Sequence, residues 1–186
     1  MVIVLIVVGV LLLLGLAFVL IRNSIIGSRN RVDEAWSGID VQLKRRHDLV
    51  PNLVETVKGY ATHEQQTFTR VTEARAEAMK SSSGQADPET VRAAQAAEAQ
   101  LSGALAELRA VAENYPELRA TENFQQLQRN LNEIEDEIQA SRRIYNSNVQ
   151  AYNTKIQIFP NSIVANSGGF TAREFFEIEN AAEREP

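Results

Sequence analysis

The chain has 186 residues, of which 19 are basic and 24 are acidic, so its formal net charge at pH 7 is -5. This balance does not favour a general nucleic-acid-binding protein, for which a basic face or stripe is expected. The sequence contains no cysteine, which excludes a disulfide framework, thiolate chemistry and a lipoprotein signal.

The chain starts with an apolar segment, from Val2 to Ile21, without any charged, amide or hydroxyl side chain. As a helix it would be roughly 30 Å long, which matches the hydrocarbon core of a bilayer. A cleaved secretory signal is the alternative. However, no basic residue precedes the segment, it exceeds the usual apolar region of such a signal, and no Ala-x-Ala-like site follows it. The segment therefore predicts an uncleaved transmembrane anchor, and we assign residues 1–24 to the anchor and its juxtamembrane start.

Three arginines follow the apolar segment, Arg22, Arg29 and Arg31, with no acidic residue among them. The positive-inside rule then predicts a single-pass protein with a short N-terminus outside and a C-terminal body in the cytoplasm. The same three arginines are the candidate lipid-headgroup contacts, because a basic charge near an anionic leaflet contributes about 1 kcal/mol.

The first helical pattern runs from about Arg31 to Lys80, where apolar residues are mostly three, four or seven apart. Pro51 removes one backbone donor and crowds the carbonyl of His47, so we expect a kink or short break between these residues. No strong breaker except Gly27 separates this pattern from the anchor. We therefore expect the anchor to pass almost continuously into the first helix.

A serine-rich turn at residues 81–84 ends the first pattern, and a second helix is predicted from Pro88 to about Asn114. Asp87 is suited to cap this helix, and proline is suited to its first position. Its inner stripe is rich in alanine, which permits close helix approach. This stripe predicts a tightly packed middle helix, with association between copies as the alternative use of the same face.

A third helix is predicted after the Tyr115–Pro116 turn, with Thr121 as its cap and Phe159 near its end. One apolar row in it recurs every seven residues: Phe124, Leu131, Ile138, Tyr145, Tyr152 and Phe159. The second apolar row shifts along the helix, as it does when a straight helix drifts against a heptad. This pattern favours a globular bundle over an extended coiled coil.

A row of amide side chains lies beside that apolar row, also seven residues apart: Asn132, Gln139, Asn146 and Asn153. The row is either a solvated flank or a set of groups that fix helix register. In the second interpretation the partners are Asp40, Gln42 or Asn52 of the first helix. The neighbouring Tyr145 and Tyr152 are further candidate interaction residues.

A short C-terminal helix is predicted over roughly Ala172–Ala182, because Thr171 can form a capping box with Glu174. The apolar side chains of this helix are Phe175, Phe176 and Ile178. They either dock on the bundle or form an exposed apolar contact for a partner.

The sequence lacks the spacing that common catalytic motifs require. It contains no Walker loop, no Gly-x-Ser-x-Gly elbow and no His-Glu-x-x-His pair. His47 and His63 would lie on different sides of a helix, with Pro51 between them, so they are poorly placed to share one metal ion. We therefore expect no enzymatic activity, no metal, no cofactor and no small-molecule substrate.

Several motifs resemble those of the LemA family of bacterial membrane proteins. The segment Ile39–Glu64 reads IDVQLKRRHDLVPNLVETVKGYATHE, and the segment Arg143–Pro160 reads RIYNSNVQAYNTKIQIFP. The YP turn at residues 115–116 and the GF and FFE elements at residues 169–170 and 175–177 fit the same family. The resemblance implies one transmembrane helix in the bacterial inner membrane, a short external N-terminus and a body built as an antiparallel bundle.

The fold expectation is all-α: an N-terminal transmembrane helix, then an antiparallel up-and-down bundle of three long helices plus a short C-terminal helix. Residues 25–186 would form this LemA-like bundle domain. The resemblance supplies no catalytic residues, but LemA relatives in magnetotactic bacteria are linked to forming magnetosome membranes. Two functions follow as expectations: a scaffold that self-assembles into a homo-oligomer on the lipid bilayer, or an adaptor that presents its bundle to another membrane protein, such as a membrane protease.

Overall fold

The computed structural model of the chain describes residues 1–81 and 86–177. Within those ranges it has no strand and the following helices: α1 (Val2–Lys58), α2 (Gln65–Ser81), α3 (Pro88–Glu113), α4 (Pro116–Arg119), α5 (Glu122–Gln157) and α6 (Asn161–Ser167). Helices α1, α2, α3 and α5 form an up-and-down bundle, in which α5 packs along α1 and α2 packs along α3. The predicted all-α fold, with a long apolar helix leading into a bundle, is confirmed.

Helix α1 carries both the apolar segment and one complete side of the bundle core. Its residues 2–20 are largely exposed, whereas a stripe that begins at Ile25 is buried. In the described part of the chain, α1 is the one helix that is long and apolar enough to cross a membrane. The expected continuity between the anchor and the first helix is confirmed, because no break separates them.

Helix α1 also continues through Pro51, where the sequence predicts a kink or short break. Proline cannot donate a hydrogen bond to the carbonyl of His47, four residues earlier. Instead, the Nε of Arg75 in α2 donates to that carbonyl at 2.6 Å. The Pro51 side chain is exposed, so its ring displaces nothing from the core. A neighbouring helix therefore replaces the hydrogen bond that proline removes.

The first helical pattern is divided farther along the chain, at residues 59–64, into α1 and α2. Gly59, a poor helix former, ends α1, and Ala61 is fully buried in the turn that follows. A single straight helix would carry Phe68 and Val71 beyond the bundle. The turn instead brings both residues back, so that they are buried in its core. The bundle consequently has four helices where the sequence predicts three.

The starts of α3 and α5 are the predicted ones. The Asp87 carboxylate accepts hydrogen bonds from the backbone N–H groups of Glu89 and Thr90, both at 3.0 Å. The Thr121 hydroxyl accepts one from the backbone N–H of Phe124 at 3.4 Å. Each cap satisfies donors that the first helical turn leaves unpaired.

Residues 171–177 are not helical, and a helix that the sequence pattern does not predict, α6, occupies Asn161–Ser167. The prediction of a helix from residue 172 is therefore wrong for residues 172–177. We call residues 171–177 the C-terminal strap. The rest of that predicted helix, including Ile178, lies outside the described residues. The same is true of residues 82–85 of the serine-rich turn.

The core of the bundle consists of two apolar clusters with charged residues between them. One cluster lies towards the apolar end of α1 and includes Trp36, Leu43 and Tyr145. The other lies farther from that end and includes Val50 and Leu101. The boundary between the clusters falls, on α1, at two buried residues, Arg46 and His47.

The replacement of the missing proline hydrogen bond by Arg75 can be tested by substituting Arg75 both in the natural chain and in a Pro51→Ala variant. Arg75→Leu removes the donor to the His47 carbonyl, so we expect the free energy of unfolding to fall by about 1–3 kcal/mol. In a Pro51→Ala background the same change should cost clearly less, because the substituted residue has a backbone N–H that can donate to this carbonyl. Denaturant unfolding of the full chain in detergent, followed by the fluorescence of Trp36, measures both losses. Equal losses in the two backgrounds would contradict the compensation.

Candidate functional site

A group of buried charged side chains joins three helices at the middle of the bundle. The Arg46 guanidinium on α1 is fully buried and donates to the carboxylates of Glu98 on α3 and Glu135 on α5, the latter at 2.7 Å. It also donates to the Ser102 hydroxyl at 3.3 Å. The Nε2 of His47 lies 2.7 Å from the other carboxylate oxygen of Glu98. We call these five residues the Arg46 cluster.

The Arg46 guanidinium is paired with two carboxylates, of which Glu98 is fully buried and Glu135 is partly exposed. Burial alone would lower the pKa of the Arg46 guanidinium, but the carboxylates of Glu98 and Glu135 outweigh this effect and raise its pKa above the ordinary value. Because an unpaired buried charge costs several kcal/mol, the guanidinium and the fully buried Glu98 carboxylate depend on each other. A shift of α1 along α3 would separate them, so the pair favours one register of these helices.

The buried members of the cluster, His47 and Glu98, pack inside the bundle, whereas the Glu135 side chain is 38% exposed. The His47 and Glu98 side chains are 2% and 0% exposed, so neither can reach a group from solution. Within residues 1–81 and 86–177, no three histidine or acidic side chains are grouped closely enough to hold a metal ion. The contact between Arg46 and Glu98 joins α1 to α3 inside the bundle.

Sequence reasoning missed the Arg46 cluster, although a signal for it exists. Arg46 lies three residues after Leu43 and four residues before Val50, at a position where the apolar stripe of α1 should continue. Glu98 occupies the same kind of position in α3, between Ala94 and Leu101. Charged residues of opposite sign inside two apolar stripes predict a buried ion pair, but periodicity alone does not say which residues meet.

The second feature is the C-terminal strap, which lies antiparallel along α5 and is held by two asparagine amides. The Asn153 Oδ1 accepts from the backbone N–H of Arg173 at 2.8 Å, and its Nδ2 donates to the carbonyl of the same residue at 2.9 Å. Asn146 makes the same pair of bonds with Phe176, at 2.9 and 3.1 Å. Each amide thus satisfies the donor and the acceptor of one strap residue, as a neighbouring β-strand would.

Two tyrosines add a second row of contacts to the strap backbone. The Tyr145 hydroxyl donates to the Glu174 carbonyl at 2.9 Å, and the Tyr152 hydroxyl donates to the Thr171 carbonyl at 3.0 Å. Burial raises the pKa of both tyrosines above the ordinary value, which favours the protonated, donating form.

The spacing of these contacts explains why the strap is extended. Seven residues of α5 cover about 10.5 Å, and three extended residues cover about 10 Å. Side chains that recur every seven residues on α5 therefore meet every third residue of the strap. The strap needs no helical hydrogen bonds where α5 supplies partners for its backbone, and this is the physical reason why residues 172–177 are not helical.

The side chains of the strap divide between the core and the solvent. Phe176 is fully buried, and its ring contacts that of Trp36 edge to face at a centroid distance of 5.4 Å. Tyr145 lies on the same indole, with a centroid distance of 5.5 Å. Phe175 is 42% exposed. The sequence left open whether these apolar side chains dock on the bundle or stay exposed. Phe176 docks on the bundle, whereas Phe175 is exposed.

Polar side chains tie the strap to the other helices. The Arg173 guanidinium donates to the Asp33 carboxylate on α1 at 3.1 Å and to the Ala86 carbonyl just before α3. Glu174 forms an ion pair with Arg92 of α3 at 3.2 Å. The strap therefore connects α1, α3 and α5 at the end of the bundle nearest the apolar segment.

The predicted partners of the amide row on α1 make other contacts. Asp40 is half-buried, and burial raises the pKa of its carboxyl group. Gln42 accepts a hydrogen bond from Arg45 at 2.9 Å, and the side chain of Asn52 is exposed. Asn146 and Asn153 bind the backbone of the strap and not these residues, so the predicted pairing is wrong for these two amides.

The three arginines that follow the apolar segment lie on the first turns of α1 beyond it. Arg22 is exposed, and the Arg31 Nε donates to the Gly27 carbonyl at 3.4 Å. The Arg29 guanidinium lies over the ring of Phe170, 5.7 Å from its centroid. Their contact with lipid headgroups stays a prediction.

A model of the LemA family matches residues 35–186. Magnetosome protein MamQ 2 of Paramagnetospirillum magneticum is 26% identical over 166 residues, covering 79% of this chain and 61% of its own length. Protein LemA of Metamycoplasma hominis is 26% identical over 144 residues, covering 77% and 63%, respectively. The chain thus spans about three fifths of the length of these curated relatives.

The mutual dependence within the Arg46 cluster predicts a large effect of a single change. Arg46→Met leaves the Glu98 carboxylate buried without its cation, so we expect the free energy of unfolding to fall by about 3–5 kcal/mol. The matched control is Arg70→Met, which breaks an ion pair with Glu107 whose partners are 52% and 46% exposed. This control should cost about 1 kcal/mol or less. Denaturant unfolding of the full chain measures both, and similar losses would contradict the role of the cluster.

The attachment of the strap can be tested through its amides. Asn146→Ala and Asn153→Ala each remove two hydrogen bonds, so we expect each to lower the free energy of unfolding by about 1–3 kcal/mol. Asn146→Ala should also shift the emission of Trp36 to longer wavelength, because Phe176 no longer covers the indole. Asn132→Ala, on the same row but exposed, is the matched control. An unchanged melt and emission spectrum in Asn146→Ala would refute the attachment.

Proposed function

The chain belongs to the LemA family, and from this membership we propose that it is a membrane-anchored, non-catalytic helical scaffold that organises the membrane or cell envelope by assembling with copies of itself. Relatives that carry the name magnetosome protein support a role in membrane organisation. The family and these relatives are not known as enzymes.

The continuity of α1 is the observation that carries this proposal. One helix forms the exposed apolar segment and then a full side of the bundle core, without a flexible linker between them. From Arg22 to Lys58 this helix extends about 55 Å at 1.5 Å per residue. The bundle is thus held in a defined direction relative to the membrane. A scaffold depends on such a fixed direction, whereas a tethered enzyme that searches for substrate gains from a flexible linker.

The Arg46 cluster and the strap support the same proposal. The cluster joins α1 to α3 and α5 at mid-height, and the strap joins the same helices near the membrane end. The bundle therefore moves with α1 as one body. In an assembly of several copies, the distance between neighbouring apolar segments would therefore also determine the distance between the far ends of neighbouring bundles.

We further propose that the chain lies in the bacterial inner membrane with its bundle in the cytoplasm and its N-terminus outside. The three arginines on the bundle side of the apolar segment support this direction. The first acidic residue of the chain, Asp33, follows all three of them.

The second candidate function is an adaptor that presents its bundle to another membrane protein, such as a membrane protease. One observation favours it: Phe175 is 42% exposed on a strap that is otherwise held firmly in place. An exposed aromatic side chain at a fixed position is suited to a protein partner.

Light scattering of the full chain in mild detergent or in native nanodiscs distinguishes the two functions. The scaffold predicts a defined homo-oligomer formed by this chain alone. A monomer that co-purifies with another membrane protein would support the adaptor and overturn the scaffold.

A pair of insertions between Arg22 and Asn23 tests whether the continuity of α1 matters. A seven-residue glycine-serine insertion should abolish the defined oligomer or broaden its size distribution, because it uncouples the bundle from the anchor. A helical insertion of the same length is the control: it adds about two turns, preserves the facing of the bundle, and should leave the oligomer intact. An oligomer that survives both insertions would show that the continuous helix is not required.

A further inference from the structure

The chain reverses direction between α5 and the strap, at residues 158–170, next to the apolar segment of α1. The Lys155 ammonium near the end of α5 donates to the Ser24 carbonyl at 3.4 Å and to the Ser28 hydroxyl. Ser24 lies about 4.5 Å along the helix from Ile21, the last residue of the apolar segment. If α1 spans the bilayer, this reversal is at the level of the lipid headgroups.

Three large apolar side chains of the reversal are exposed. The exposed fractions are 51% for Ile158, 80% for Phe159 and 61% for Ile163. Other residues of α6, Val164 and Ala165, are buried in the bundle core, so α6 has one packed side and one open side. We call Ile158, Phe159 and Ile163 the apolar corner.

The apolar corner differs from the other exposed apolar residues of the bundle. Outside residues 1–20, the remaining exposed large apolar side chains among the described residues are single and distant from one another in the sequence: Val41, Tyr60, Met79, Ile144 and Phe175. Scattered single residues of this kind are normal on a soluble surface. Three exposed large apolar side chains within six residues instead indicate a surface that binds something.

The charge around the corner identifies the partner. The sequence has no aspartate or glutamate in residues 1–32 or 138–173, the two stretches that form the membrane end of α1, the last part of α5 and the reversal. The basic side chains there include Arg22, Arg29 and Lys155. Apolar side chains with basic neighbours and no acidic ones are typical of elements that lie in a bilayer interface. Lys155, near the corner, contacts Ser24 and Ser28 just beyond the apolar segment, and this position favours lipid over a second copy of the chain.

We propose that the apolar corner is a second membrane contact, which inserts into the headgroup region of the leaflet from which α1 emerges, with a preference for anionic lipid. It would add to the anchor a second fixed point at a distance from the α1 axis. Two contact points restrict the tilt of the bundle relative to the membrane plane more than a single transmembrane helix does. This inference rests on the anchor of the proposed function but not on self-assembly.

The absence of cysteine from the chain allows the contact to be tested with single probes. The variants Ile163→Cys, Phe159→Cys, Ile144→Cys and Leu12→Cys are labelled with an environment-sensitive fluorophore in the full chain. Each is placed in nanodiscs of phosphatidylcholine and phosphatidylglycerol that contain a nitroxide either near the headgroups or deep in the acyl chains. All four positions are exposed, so the labels should leave the fold intact.

Ile163 and Ile144 form the matched pair, because both are 61% exposed and Ile144 lies about 20 Å before the end of α5. We expect the shallow nitroxide to quench the labels at positions 163 and 159 but not at 144, and the deep nitroxide to quench the label at 12. Quenching at 163 should decrease when phosphatidylglycerol is omitted. Equal signals at 163 and 144 would overturn the proposal.

The remaining outcomes are also distinct. A blue-shifted label at 163 without quenching would mean that protein, such as a second copy, covers the corner, and would overturn the lipid contact while leaving self-assembly in place. Absence of quenching at position 12 would refute the transmembrane anchor itself, and the corner contact with it.

Discussion

The bundle depends on the burial of one guanidinium group. Arg46 of α1 lies between the two apolar clusters. It contacts the carboxylates of Glu98 on α3 and Glu135 on α5, so one side chain joins three helices. Apolar stripes alone can tolerate a shift of register, which a polar residue inside the stripe prevents. A buried ion pair does not tolerate it, since a shift of one turn would leave a charge in the core without a partner. The cluster thereby favours a single register for α1, and α1 carries the membrane anchor.

The strap adds a different kind of specificity at the end of the bundle nearest the apolar segment. Asparagine and tyrosine side chains of α5 bind its backbone, while Phe176 fills a position against Trp36. The hydrogen bonds to its backbone determine the path of the strap along α5. The contact between Phe176 and Trp36 determines which strap residue lies at each position. Together with Arg173, these contacts close the bundle near the apolar segment, next to the reversal that exposes the apolar corner. The apolar segment, the strap and the corner therefore lie at one end of the molecule.

Much of the fold could be predicted because it follows from local chemistry. The caps at Asp87 and Thr121, the apolar period of α5 and the apolar segment each depend on residues close together in the chain. The errors occur where a distant residue changes the outcome. Arg75 supplies the bond that Pro51 removes, so the expected break is absent. The amides of α5 satisfy the backbone of the strap, so a segment with a good capping signal is not helical.

The sequence by itself determined that this is an all-α protein of the LemA family with an apolar anchor, because hydrophobic length, periodicity and family motifs are written along the chain. The tertiary structure decided which polar groups meet: Arg46 with Glu98, Arg75 with the carbonyl of His47, and the amide row with the strap. The physical reason is that a buried charge or polar group left without a partner costs free energy. The residue that pairs it can lie fifty or more positions away, where no local period reports it.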